Sequence, residues 1–251
     1  MKKTENRLHL IMPMGGAGSR FFKNGFVVPK PLIEISGKPF LYWAARSVAD
    51  GLESVDLTFV VLQKHIDEFG IDKVILKHFP DACIVAVTDG EVHSGPVMTC
   101  LAGIRNIHDS FPVMFNDCDH MFRCNSFTSA VNSGEIEADA ALLTFESDQP
   151  QFSYLRFDSA GKICGTVEKK VVSSQAICGA YYIRNAALFR TAAEQYLKEC
   201  EYSEFFVSGI YNVMCRNGMT VKYFGTDFHV PFGTPDEYEA AAHSEYFKVF
   251  N

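Results

Sequence analysis

Apolar residues fall along this chain in two rhythms. Residues 8–13 form an unbroken apolar run, the pattern of a strand buried on both faces of a parallel sheet, and a glycine-rich stretch follows at once. From residue 40 the apolar positions Phe40, Trp43, Ala44 and Val48 recur at helical spacing, which predicts a helix over 40–50. Residues 57–62 read again as a buried strand, 66–78 as a helix, 83–87 as a strand, 97–107 as a helix and 112–116 as a strand. This alternation predicts a parallel sheet covered by helices.

After about residue 139 the rhythm changes. Residues 140–145, 152–157, 163–167 and 176–183 read as strands with short turns between them, so this half is expected to be antiparallel or mixed. Helices are predicted over 186–198 and 204–216, then a strand over 220–224 and a last helix from about residue 235. No repeat, low-complexity tract or linker divides the chain, so 1–251 is expected to be a single domain whose second half extends the sheet of the first.

With 251 residues and 47% hydrophobic content, the chain can bury one large α/β core. A formal charge of -7 argues against a protein that neutralises many nucleic-acid phosphates. No apolar run approaches the roughly 20 residues that span a bilayer, and the polar residues 1–7 lead straight into a strand, so a cytoplasmic protein without a membrane partner is expected. Eight scattered cysteines without a CxxC pair give neither a disulfide framework nor a zinc site.

Chemistry concentrates in a few places. In Gly15-Gly16-Ala17-Gly18-Ser19-Arg20, glycines let backbone N–H groups converge on an anion, and Arg20 offers a forked cation, so the loop reads as a triphosphate cradle; a plain tight turn is the alternative. It is not a Walker A loop, which ends Gly-Lys-Ser/Thr, nor the dinucleotide fingerprint, which needs a third glycine where Phe21 stands. The run 113–120 sets Asp117 and Asp119 just beyond the carboxyl end of a predicted buried strand, where α/β sheets place ligands and where hard Mg²⁺ needs only one or two carboxylates beside substrate oxygens. Cys118-Asp119-His120 is no nucleophile or zinc cluster, because neighbours on an extended backbone point in alternating directions.

The glycine-rich loop together with Lys30-Pro31-Leu32 resembles the signature of the sugar-phosphate nucleotidyltransferase family, Gly-Gly-x-Gly-x-Arg followed by Lys-Pro-Leu. The resemblance runs from residue 8 to about 242. It implies a three-layer α/β/α sandwich with a mostly parallel mixed sheet, a Rossmann-like nucleotide-binding half over about 8–135 and an acceptor-binding half over about 136–251. It also implies transfer of a nucleoside monophosphate from a nucleoside triphosphate to a sugar phosphate or other small phosphorylated acceptor, with Mg²⁺ as cofactor and pyrophosphate released. A homo-oligomer is compatible with it. Carried over residue by residue, Gly15, Gly16, Gly18 and Ser19 hold the nucleotide phosphates, and Arg20 and Lys30 neutralise charge at the α-phosphorus and on the leaving pyrophosphate. Aligning Cys118-Asp119-His120 with the family's Gly-Asp-Asn favours Asp119 as metal ligand over Asp117. Gly95, in a helix-opening element, is expected beside the nucleobase, which no evident glutamine identifies. Glu168 and Lys169 match the acceptor-facing Glu-Lys pair, with Lys170 in place of the usual proline. In the closing segment, Pro231 stands where a second metal-binding aspartate is usual, which leaves Asp227 as the candidate for that role.

Two rival readings remain. A glycosyltransferase of the related nucleotide-sugar fold would use Asp117-Cys118-Asp119 as an Asp-x-Asp metal motif, but would not need the triphosphate loop with Arg20 and Lys30. A non-catalytic nucleotide sensor would not need Asp119, Glu168 and Lys169 together.

Overall fold

The structure, a computed structural model, describes residues 7–16 and 18–250. Ala17 of the glycine-rich loop and the polar residues 1–6 lie outside the described residues. The first half runs β1 (Leu8–Met14), α1 (Ser19–Lys23), a 3₁₀ turn (Lys30–Leu32), the small ribbon of β2 (Glu34–Ile35) and β3 (Lys38–Pro39), α2 (Phe40–Ala49) and β4 (Val55–Leu62). It continues through α3 (Gln63–Phe69), α4 (Ile71–His78), β5 (Cys83–Val87), α5 (Asp89–Val92), α6 (Pro96–Gly103), β6 (Val113–Asn116), β7 (His120–Arg123) and α7 (Asn125–Ser133). The second half contributes β8 (Ala140–Glu146), β9 (Tyr154–Phe157), β10 (Ile163–Val167), β11 (Gln175–Ile183), α8 (Ala186–Glu199) and α9 (Val207–Arg216). It closes with β12 (Val221–Gly225), β13 (Phe228–Pro231), α10 (Pro235–Ala241) and a 3₁₀ turn (Glu245–Phe250).

Among the described residues nine strands form one sheet, and strands of both halves lie in it. Its spine runs β12-β8-β11-β6-β1-β4-β5; β11 alone is antiparallel to its neighbours there, and the β9–β10 hairpin hangs from β11 through Ala176 and Tyr154. Side chains alternate across a strand, so β1 sends Ile11 into one core with residues of α6, α8 and α9, and Leu10 and Met12 into the other with residues of α2, α4 and α7. The result is the expected three-layer α/β/α sandwich with a mostly parallel mixed sheet.

Three local departures have physical reasons. The helix expected over 66–78 is two, because Gly70 takes φ 60° and ends the first with an αL cap. The helix expected over 97–107 stops at Gly103, where the backbone lies so close to the sheet that a Cβ would stand 2.5 Å from Ile11 Cγ2. The β7–β13 ribbon was not anticipated, since His120, Arg123 and His229 interrupt the apolar pattern of two four-residue strands. That ribbon rests on a third apolar cluster that includes Phe21, Trp43, Phe232 and Phe247 and underlies the start of α1. Among the described residues no helix is long and apolar enough to cross a membrane.

Candidate active site

Two turns that follow adjacent parallel strands build the site. The glycine-rich loop leaves β1, the Asp117-Cys118-Asp119 turn leaves β6, and β1 pairs with β6 from His9↔Val113 to Ile11↔Phe115, so both turns open on the same edge of the sheet. Gly15 lies on α6 so closely that a Cβ would stand 2.7 Å from Thr99 Oγ1. From the 3₁₀ turn, Lys30 Nζ donates to Asp119 Oδ2 at 2.9 Å, with each side chain 26% exposed. Burial alone would lower the Lys30 ammonium, but the Asp119 charge outweighs it and raises the group above the ordinary lysine range. Burial alone would likewise raise the Asp119 carboxyl, yet the Lys30 charge and hydrogen bond hold it below its usual value. Asp117 is pushed the other way, up to about 7, by burial first and then by repulsion from Asp119, against the attraction of Lys30. The turn therefore holds two carboxylates around one lysine and is short of positive charge. Burial also pushes the Cys118 thiol up to about 12, so it is no nucleophile.

Glycines make room for both acids. A Cβ on Gly179, which sits in β11 at φ 87°, would stand 2.6 Å from Asp117 Oδ2, and one on Gly233 would collide with Asp119 Oδ2. The Asp119 turn is tied to the closing segment by Phe232 N–H, which donates to Asp119 O at 2.9 Å.

Two cavities meet at this turn, and Asp117, Asp119, Pro96 and Glu204 line both. One, of about 560 Å³, is lined by Gly15, Gly16, Ser19, Lys30 and Gly95. The other, of about 520 Å³, is lined by Arg20, Ser153, Glu168, Lys169, Tyr181 and His229. A larger cavity of about 690 Å³, between α7 and β12, shares no residue with either and holds none of the phosphate-binding groups. Gly18 is the αL cap of α1 and packs against the Lys30 side chain. Arg20 is exposed, and its guanidinium has no hydrogen-bond or ion-pair partner among the described residues, so it is free to meet a ligand.

On the second cavity Glu168 Oε1 accepts from Ser153 Oγ at 2.7 Å and from Ser208 Oγ, which fixes the carboxylate. Lys169 adopts φ 51°, and its Nζ lies 5.1 Å above the Phe206 ring. Lys170 is exposed and lines neither cavity.

Asp227 does not join the site. It is exposed at the corner between β12 and β13, where its Oδ2 accepts from Asn125 N at 2.8 Å and caps the start of α7. Four residues of strand separate it from Pro231, which pairs with His120 beside Asp119, a span of ~13 Å at the usual strand rise. It cannot share a metal with Asp119, and its expected role as second ligand is corrected to that of a helix cap. The expectation for Gly95 also changes: at φ 128° a Cβ there would stand 2.5 Å from Phe205 N, so the close approach that requires glycine is to the chain's own backbone.

A family model described as nucleotidyl transferase matches residues 9–245. The chain belongs to the nucleotidyl transferase family. This nucleotidyl transferase is similar to the nucleoside-diphosphate-sugar pyrophosphorylase from Vibrio cholerae RC9, with TM-score 0.78 and 21% identity over 94% of this chain and 100% of that one. It is similar also to a putative glucose-1-phosphate thymidylyltransferase from Bacillus anthracis in complex with a sucrose, with TM-score 0.73 and 18% identity over 94% of each chain. A UDP-glucose pyrophosphorylase complexed with UDP-glucose aligns with TM-score 0.72 and 16% identity over 96% of this chain and 99% of that one. At these identities the likeness is one of fold. Comparison with curated proteins gives no match.

Several residues of the nucleotidyl transferase's site escaped the sequence. Asp117 faces both cavities as Asp119 does, and Gly179 and Gly233 shape the space for the two. A lone glycine inside the predicted strand 176–183 was the available signal for Gly179, since such a glycine often marks a close approach. Glu204 and His229, brought in from distant loops and strands, carried no local signal.

Proposed function

We propose that this nucleotidyl transferase moves a nucleoside monophosphate from a nucleoside triphosphate onto the phosphate of a sugar phosphate, with Mg²⁺ as cofactor. The observation that carries the reading is the meeting of two cavities at Asp117 and Asp119, one lined by the glycine-rich loop and Lys30, the other by Arg20, Glu168 and Lys169. Two substrates that must react with each other need such a junction. A sugar phosphate as acceptor is supported by the names of the similar structures, a putative glucose-1-phosphate thymidylyltransferase and a UDP-glucose pyrophosphorylase.

An oxygen of the acceptor phosphate attacks the α-phosphorus in line. As that P–O bond forms, the bond from the α-phosphorus to the β-phosphate oxygen breaks, and its electron pair leaves on pyrophosphate. The attacking oxygen is already anionic, so no general base is required. What the protein supplies is position and charge: the glycine-rich loop orients the triphosphate, and Lys30 and Arg20 stabilise negative charge from opposite sides of the junction. Lys169 attracts the acceptor phosphate, and Glu168, held by two serine hydroxyls, accepts hydrogen bonds from acceptor hydroxyls.

The donor set fits a hard cation. Two carboxylates share one lysine, and among the described residues no group of three or more His, Cys, Asp or Glu side chains could hold a metal ion, so this is an open site to be completed by substrate oxygens and water. Asp119 with Asp117 would hold Mg²⁺, which when bound supplies charge neutralisation on the triphosphate.

The test is a screen of the four common nucleoside triphosphates against a panel of phosphorylated acceptors, with and without Mg²⁺. Pyrophosphate should appear only when triphosphate, acceptor and Mg²⁺ are all present. Both aspartates of Asp117-Cys118-Asp119 face the cavities, as an Asp-x-Asp motif requires. If triphosphates do not bind while a nucleotide sugar is bound and cleaved to a nucleoside diphosphate, the glycosyltransferase reading replaces this one.

A further inference from the structure

The acceptor-side cavity contains a polar chain that the phosphate chemistry leaves unused. Asn116 is fully buried, and its Nδ2 donates to Ala44 O at 3.0 Å and to Asp117 O at 3.3 Å. Carbonyls only accept, so the amide can face them in one orientation, and its Oδ1 is the atom that meets His120 Nε2 at 3.1 Å. His120 Nε2 therefore carries a hydrogen. On the far side of that ring, His120 Nδ1 lies 3.3 Å from His229 Nε2. Two nitrogens in contact need one hydrogen and one lone pair between them; with His120 neutral the lone pair is on its Nδ1, and His229 donates through Nε2. His229 Nδ1 is then left as a bare lone pair. It is sealed from solvent and has no hydrogen-bond partner. The His229 ring, packed on Phe145 with centroids 4.1 Å apart, forms part of the wall of the acceptor-side cavity next to Phe152.

An acceptor atom buried without a donor is costly unless something brings the donor. We infer that His229 determines acceptor specificity: the Asn116–His120–His229 chain holds its Nδ1 lone pair ready to accept a hydrogen bond from a hydroxyl of the acceptor's sugar. The inference rests on the reading of the second cavity as a sugar-phosphate site. Such a lone pair selects for a hydroxyl at one ring position and against an analogue that lacks it, because the buried nitrogen then stays unpaired.

Two substitutions separate the atoms of the ring. His229→Gln keeps a donor near Nε2 for His120 and removes the acceptor at Nδ1, whereas His229→Asn keeps an acceptor near Nδ1 and gives up the contact with His120. With glucose 1-phosphate, His229→Gln should raise KM roughly tenfold or more, the loss expected for one hydrogen bond to a buried acceptor. Triphosphate Kd, measured by calorimetry, should stay unchanged, and His229→Asn should lose less. One monodeoxy analogue should show the same loss with the parent protein and no further loss with His229→Gln. A His229→Gln variant with the parent's KM, or one that loses triphosphate binding equally, overturns the inference, the second outcome being that of a merely structural role.

Protein labelled with ¹⁵N in its histidines answers independently of turnover. Long-range ¹H–¹⁵N correlation should find His120 and His229 both protonated on Nε2 alone, and glucose 1-phosphate should shift His229 Nδ1 in the direction of a hydrogen-bonded nitrogen. A proton on Nδ1 of free His229, or no shift on addition, overturns the inference. A shift without pyrophosphate release from any sugar phosphate upholds the lone pair's role and refutes the proposed reaction.

Discussion

At the scale of single residues the site turns on Lys30 and the two aspartates. Asp119→Asn keeps the shape of the side chain and deletes its charge, so turnover should fall on the order of 10²-fold or more, as when one aligned charge-stabilising group is lost. Melting should change little, because the freed Lys30 ammonium is a quarter open to the cleft and can turn to water. Pyrophosphate release and a thermal scan check both halves of that statement. Asp117→Asn should behave differently: repulsion from Asp119 already strains this carboxyl, so its removal should raise the melting temperature of the metal-free protein while costing less turnover than Asp119→Asn. Arg20, exposed and without a partner, should be nearly neutral for stability when changed to Ala, within about 0.5 kcal/mol, yet should lose about 10²-fold in turnover. Unchanged turnover in Arg20→Ala would make the loop a plain tight turn. Arg20, Lys30 and Asp119 were legible in the sequence because each belongs to a short motif whose chemistry is local. Gly179 and Gly233 were not, since their importance lies in carboxylates that stand 62 and 114 positions earlier in the chain.

Among the elements, the β7–β13 ribbon decides where the metal-binding candidates can be. It brings Pro231, Phe232 and Gly233 against the Asp119 turn and leaves Asp227 at its other end, bonded to the start of α7. Asp227→Ala should therefore cost about 1 kcal/mol of stability, the usual value of a lost helix cap, with turnover unchanged. A large loss of turnover with stability intact would return Asp227 to the site. Buried strands such as β5 and β6 were readable within one residue, because burial on both faces demands an unbroken apolar run. The ribbon was not, because its histidines are polar residues made tolerable by partners on other strands, and no local pattern announces a partner.

For the whole molecule, the sheet places a phosphate-binding half and an acceptor half on one edge with a shared floor of two aspartates. Binding of the two substrates should be separable: Lys169→Ala should raise KM for the phosphorylated acceptor, with triphosphate Kd unchanged by calorimetry. Equal loss of both would mean that the cavities act as one. The sequence by itself determined the alternation of strands and helices, hence the layered α/β fold, and the residues of the glycine-rich loop, Lys30, Asp119, Glu168 and Lys169, because periodicity and contiguous motifs are carried by neighbours along the chain. Only the tertiary structure decided that Asp117 shares the junction, that Asp227 caps a helix, that Gly95 answers to Phe205, and that Asn116, His120 and His229 form one chain of hydrogen bonds. Each of these depends on distances between residues remote in sequence, which are set by strand order and close packing and leave no trace in local pattern.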